Sequence, residues 1–240
     1  IAERGNANAI AAVSAFLEDD DEDVRIAAVR ALGKIAEKGN ANAISAACAR
    51  LEDDDQDVRK AAIHALWQIA GKGNADAIAA VCARLEHTNR VVRRAALRAL
   101  ARIAEKGNAD VIAAVCARLE DDKAGVRQAA VDALAQIAEI GNADAIAAVL
   151  EHKNADVRGA AIDALVRIGK KAGNGKEQNA GVISVVCARL KHDKADVRGA
   201  AVDALGQISE KGNACAIAGV CARLADDNFD VRRAAVDALG

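Results

Sequence analysis

Six cysteines, four histidines and one tryptophan are the side chains of this 240-residue chain best suited to bind metal, carry redox chemistry or stack on a ligand. The cysteines are Cys48, Cys82, Cys116, Cys187, Cys215 and Cys221. They form no Cys-x-x-Cys pair and no Cys/His set at zinc-ligand spacing. A run of six acids, Glu18 to Asp23, invites a calcium reading. A calcium loop needs a central Gly and a distal Glu, and neither is there, so the run reads as a solvated turn. The chain carries no Ser/His/Asp pattern, no phosphate-cradling Gly loop and no paired-carboxylate motif. No catalytic, cofactor-binding or metal residue is assigned, no cofactor is expected, and the chain reads as a non-enzyme.

The same residues become informative once their spacing is seen. Gly107 to Ile140 is a 34-residue unit, and the rest of the sequence is that unit copied and edited. Units begin at Gly5, Gly39, Gly73, Gly107, Gly141, Gln178 and Gly212, in steps of 34, 34, 34, 34, 37 and 34 residues. A period of this size marks an array of supersecondary units. Numbering from the Gly, Asn at position 2 predicts a helix N-cap. Ile112, Val115, Cys116 and Leu119, at positions 6, 9, 10 and 13, fall on one helical face. A polar turn ends at position 19, which is Asp in five of the seven units (Asp23, Asp57, Asp156, Asp196, Asp230) and is predicted to cap a second helix. That helix carries apolar residues at positions 20, 23, 24, 25, 27, 28 and 31. The next Gly is predicted to end it as the left-handed C′ residue. One such hairpin cannot bury its apolar surface, but stacked hairpins cover one another. The predicted fold is all-α: a right-handed α-solenoid of about seven stacked antiparallel helix hairpins, one domain over residues 1–240.

Five of the cysteines share position 10, on the apolar face of the first helix; Cys215, at position 4, lies off it. Equivalent Cα atoms of adjacent hairpins should lie about 8–10 Å apart, and a disulfide needs less than about 7 Å. The position-10 thiols therefore read as small buried hydrophobes. Free thiols point to a reducing, cytoplasmic setting. The fifth unit lacks three residues of its first helix after Val149, and an insertion, 172–177, follows it. A kink or protruding loop is expected there. His87, His152 and His192 fall in the intra-repeat turns, where a solvated side chain is expected.

The string Asp-Val-Arg-x-Ala-Ala-Val-x-Ala-Leu-Gly, at Asp23 to Gly33 and again at Asp196 to Gly206, resembles the HEAT-like repeat of the phycobilisome-lyase type. The likeness covers nearly the whole chain. The tetratricopeptide pattern of similar period wants Trp, Tyr, Phe and Pro at fixed places, and this chain has no Tyr, no Pro and one Trp. The resemblance implies that the second helix lines a concave face. It also implies that the position-21 Arg (Arg25, Arg59, Arg93, Arg127, Arg158, Arg198, Arg232) reaches the capping Asp of a neighbour, in a ladder interrupted at Val91 and Gly125. Enzymes with related repeats leave no signature. The deoxyhypusine hydroxylase type needs His-Glu dipeptides, and none of the four His precedes Glu. Phycobilin lyases show no constellation to transfer. Trp67 beside Arg94 and Arg98 is a faint echo of HEAT-like DNA glycosylases.

Lys plus Arg number 33 and Asp plus Glu 35, a net charge of −2, which gives no electrostatic case for nucleic acid. No apolar run approaches the ~18–20 residues that cross a membrane, and no signal peptide is visible. Both termini fall inside a unit, so a fragment of a longer array is expected, with uncapped ends that permit end-to-end stacking. What varies is a stripe on the second helix. Position 26 runs Arg30, His64, Arg98, then Asp132, Asp163, Asp203, Asp237. Lys34, Lys60, Arg94 and Arg102 add positive charge at positions 22 and 30, and Trp67 stands at position 29. This stripe predicts a non-catalytic scaffold whose concave face binds a protein or peptide, acidic over units one to three and basic over units four to seven. A lyase or chaperone-like subunit acting on a tetrapyrrole-bearing protein, and a structural spacer, are the alternatives.

Overall fold

The computed structural model describes residues 3–139, 142–152, 154–171, 180–209 and 212–240. The helices follow in pairs: α1 (Ala7–Ser14) and α2 (Glu22–Ile35), α3 (Ala41–Ala49) and α4 (Gln56–Ala70), α5 (Ala75–Cys82) and α6 (Arg90–Ile103), α7 (Ala109–Cys116) and α8 (Ala124–Ile137). They continue as α9 (Ala143–Ala147) and α10 (Ala155–Lys171), α11 (Ala180–Arg189) and α12 (Ala195–Ile208), α13 (Ala214–Cys221) and α14 (Phe229–Leu239). No strand occurs among the described residues. This is an all-α solenoid, and the chain falls into two compact units, Ile1–Val115 and Cys116–Gly240.

The first helices start as their Asn residues dictate. Asn6, Asn40, Asn74, Asn108 and Asn213 each accept the backbone N–H three residues on, at 2.9–3.0 Å. Most first helices are short. After Ala49, Cys82, Cys116 and Ala147 the chain tightens into a 3-10 turn, which delivers Leu51, Leu85, Leu119 and Leu150 to the core. α9 spans five residues where α5, α7 and α13 span eight, which matches the three residues missing from that unit. The insertion at 172–177 lies outside the described residues.

Two sequence expectations about helix ends need correction. The N-cap of the second helix is position 17, two residues before the predicted Asp. Asp21 and Asp55 accept from the N–H groups two and three residues on, and Asn89, Asn154 and Asn228 stand at the same place. The position-19 acids lie in the first turn, where they favour the positive end of the helix dipole. Nor is the repeat Gly the C′ residue of the helix it follows. Gly5, Gly39 and Gly73 have φ of 86°, 81° and 79°. Their N–H groups donate to the carbonyls of Ile35, Ile69 and Ile103 at 2.7–2.8 Å, at the far end of the same repeat's second helix. The turn that opens a hairpin therefore satisfies an orphan carbonyl at the hairpin's close.

Within the first unit α2, α4 and α6 pack side by side, with α3 against α5 on the outer layer. Within the second, α8, α10, α12 and α14 do the same, with α9, α11 and α13 behind. Buried Ala28, Ala62 and Ala96 in the first unit, and Ala130, Ala161 and Ala201 in the second, keep these helices close, while Leu32, Leu66, Leu100, Leu134, Leu165 and Leu205 fill the space behind. Gly33 and Gly206 serve the same end, because a Cβ on either would press on Ala65 or Ala238 of the next second helix.

The cysteine column is only partly buried. Cys48 and Cys116 are buried, Cys82 and Cys187 half-buried, and Cys215 is exposed, as its position implies. Cys221 departs from the expectation: it is a position-10 residue yet exposed, because no described hairpin packs over α13 on that side. Burial pushes the Cys116 thiol up to about 11.

Candidate binding faces on the second helices

The position-21 arginines fix the scaffold on which the candidate residues sit. Each Nη1 donates to backbone carbonyls of its own intra-repeat turn: Arg25 to Asp19 and Asp20, Arg59 to Asp53 and Asp54, Arg198 to His192 and Asp193, Arg232 to Asp226 and Asp227. The other face of the guanidinium reaches the next repeat. Arg25 grips Asp53 at 3.0 and 3.1 Å and Asp54 at 3.2 Å. Arg198 grips Asp226 at 2.8 and 2.6 Å and Asp227 at 2.5 Å. The acceptors are thus positions 15 and 16, not the capping residue. Where position 15 of the next repeat is His, the Arg turns to the position-19 acid instead: Arg127 to Asp156 at 3.4 Å and Arg158 to Asp196 at 3.0 Å. Position 15 of the third repeat is His87 and position 19 is Val91, and Arg59 makes no ion pair among the described residues, so the ladder breaks there. The hydrogen bonds from Arg198 hold the Asp226 carboxyl well below the usual carboxylate range.

The turn histidines are partly exposed and also hydrogen-bonded within their turns. Nδ1 of His87, His152 and His192 accepts the N–H two residues on, at 3.0–3.1 Å, where Asp19, Asp53 and Asp226 use a carboxylate oxygen. That places the proton on Nε2, which points at Glu52, Glu120 and Glu151 of the preceding repeat at 3.7–3.9 Å.

On this frame the second helices of the first unit expose Arg30, Lys34, Lys60, His64, Trp67, Arg98 and Arg102. Arg94 is half-buried. Lys60 is partnered by Asp57 at 2.8 Å. Arg30, Lys34, Arg98 and Arg102 make no ion pair among the described residues. Trp67 is 44% exposed, and its ring lies 5.8 Å from that of His64. An exposed indole among free cations is a surface for a mixed acidic and apolar segment.

The second unit presents the opposite sign. Asp132 is spoken for: Arg167 donates to it at 2.5 Å, and Gln128 adds a bond at 3.2 Å. Asp163, Asp203 and Asp237 make no ion pair among the described residues. They line an open cleft of about 980 Å³ whose wall also includes Gly159 and Gly206. Burial, then the charge of Asp237, raises the Asp203 carboxyl above its ordinary value, and Arg233 opposes the rise. Sequence reasoning missed Arg167, Gln128 and Arg233. Arg167 stands at position 30, which the stripe includes, and its register against the preceding helix was the unread signal. Among the described residues no cluster of three or more His, Cys, Asp or Glu could hold a metal ion, and no helix is long and apolar enough to cross a membrane.

Paired helices, a 34-residue period and an interlocking arginine ladder define an α-solenoid repeat protein. The family of HEAT repeats matches residues 1–67, 44–135, 112–174 and 143–240, and the chain belongs to that family. No curated protein matches the chain. Similar solved structures include Escherichia coli YibA, at 22% identity over 98% of this chain and 82% of that one, with a TM-score of 0.47. An engineered protein matches at 21% identity over 96% of this chain and 67% of its own, with a TM-score of 0.41. A designed armadillo repeat protein in complex with the peptide (KR)4 matches at 19% identity over 96% and 99%, with a TM-score of 0.35.

Proposed function

We propose that the chain is a non-catalytic scaffold that binds a protein or peptide along the exposed face of its second helices, the side that HEAT-like repeats turn inward. The observation that carries the proposal is the cleft lined by Asp163, Asp203 and Asp237, three carboxylates that make no ion pair among the described residues. Like charges at one repeat position repel, and a solvated surface gains nothing by gathering them. A cleft lined by one sign speeds the arrival of a ligand of the other. The second unit is assigned a basic segment, and the first unit an acidic segment with an apolar side chain to lie on Trp67.

The test is selection from a random peptide library displayed on phage, with the whole chain as bait. Enriched sequences should be basic, acidic or a joined pair of such segments, and Asp203→Lys with Asp237→Lys should abolish the basic class alone. Enrichment without charge bias, or no enrichment, would refute this use of the face and favour a structural spacer.

A further inference from the structure

Two positions of the seventh repeat depart together from the array. Position 4 is Asn8, Asn42, Asp76, Asp110, Asp144 and Gly181 in the first six units and Cys215 in the seventh. Position 8 is Ala12, Ala46, Ala80, Ala114, Ala148 and Val185, and then Gly219. The two lie one turn apart on one face of α13, and α13 packs that face on α11. A Cβ at Gly219 would lie 3.6 Å from Cys187 Sγ and 2.8 Å from Leu190 Cδ1, so the missing side chain is what lets α11 settle there. Cys215 stands one turn toward the helix start on the same face of α13, which places it beside the Cys187 thiol that faces Gly219. The pair escapes the spacing argument made for the position-10 column, because these two residues are not equivalent.

We propose that Cys187 and Cys215 form a dithiol site that closes to a disulfide by exchange with a low-molecular-weight disulfide such as oxidised glutathione, tying α11 to α13. Cys215 is the exposed partner and attacks first. Its thiolate breaks the glutathione S–S bond, a mixed disulfide forms at Cys215, and one glutathione thiol leaves with the proton. Cys187 then attacks the Cys215 sulfur and expels the second glutathione. The protein loses two hydrogens and two electrons, and one oxidised glutathione becomes two reduced ones. Burial, then the Cys215 charge and hydrogen bond, pushes the Cys187 thiol up to about 11, so the second step is the slower one and accelerates as pH rises.

Incubation of the whole chain with oxidised glutathione, followed by trypsin and mass spectrometry, tests this. Peptide 177–189, which holds Cys187, should appear joined to peptide 212–223, which holds Cys215 and Cys221. The joined species should persist in Cys221→Ser and vanish in Cys215→Ser. In Cys187→Ser a glutathione adduct at Cys215 should accumulate. Fragmentation of the joined wild-type peptides places the bond at Cys215 or at Cys221 if a variant misfolds, and a bond placed at Cys221 would overturn the proposal. A lasting glutathione adduct at Cys215 of the wild type with Cys187 unmodified, or a Cys215–Cys221 bond, would overturn the proposal.

Discussion

At the level of single side chains, the turn residues decide more than their polarity suggests. Asp226 is almost wholly buried, and its two oxygens accept from Arg198, while Oδ1 also takes the Asn228 N–H. Its folded-state pKa is depressed, so the stability it confers is complete above the unfolded value of about 4 and is lost as pH falls below it. Asp226→Asn should cost roughly 3 kcal/mol at pH 7, because Arg198 loses its buried counter-charge and keeps only the exposed Asp227. Urea midpoints measured from pH 7 to pH 3 should fall less steeply in the variant than in the wild type. Parallel curves would show that Asp226 is not the titrating group. Position 15 teaches a related lesson. The exposure of a histidine in a polar turn is legible in the sequence, but not that its Nδ1 replaces a carboxylate oxygen as acceptor. His152→Ala should cost about 1 kcal/mol. Leu119→Ala, which empties a fully buried site, should cost about 2–5 kcal/mol. Thermal unfolding would rank the two.

For the elements, helix identity was legible and helix ends were less so. The 34-residue period and the apolar face at positions 6, 9, 10 and 13 were enough to place the hairpins, because each face must be covered by its neighbour. Asn at position 2 caps as its type and place imply, and Asn74→Ala should cost about 1 kcal/mol in chemical denaturation. The second helix was harder to start. A turn such as Asp53-Asp54-Asp55-Gln56-Asp57 offers four carboxylates, and local sequence does not rank them. Their roles separate only when the partners are known: Asp53 takes Arg25 of the repeat before, Asp55 caps, and Asp57 pairs with Lys60. The repeat Gly was misplaced for a similar reason. Its positive φ was foreseen, but the carbonyl it satisfies is about thirty residues away. Gly73→Ala should be strained by φ of 79° and press on Glu105, lowering stability by about 1 kcal/mol or more. An unchanged midpoint for this variant would contradict the conformational role.

For the molecule as a whole, the sequence showed where charge varies but not which charges are already spent. Asp132 and Asp203 occupy the same repeat position, yet Arg167 neutralises the first and leaves the second open. Among the cations, Lys60 is partnered and Arg94 half-buried, whereas Arg98 and Arg102 are exposed and make no ion pair among the described residues. The binding account therefore rests on Arg98 and Arg102 in one unit and on Asp203 and Asp237 in the other. The most direct test is stopped-flow association of two fluorescent peptides of equal length, one acidic with a central Leu and one basic, at several salt concentrations. Arg98→Glu with Arg102→Glu should slow the acidic peptide at least tenfold, flatten its salt dependence and leave the basic peptide unchanged. Asp203→Lys with Asp237→Lys should do the reverse. Equal rates for wild type and both variants, or one peptide affected by both pairs alike, would contradict the claim that these faces are the binding surface.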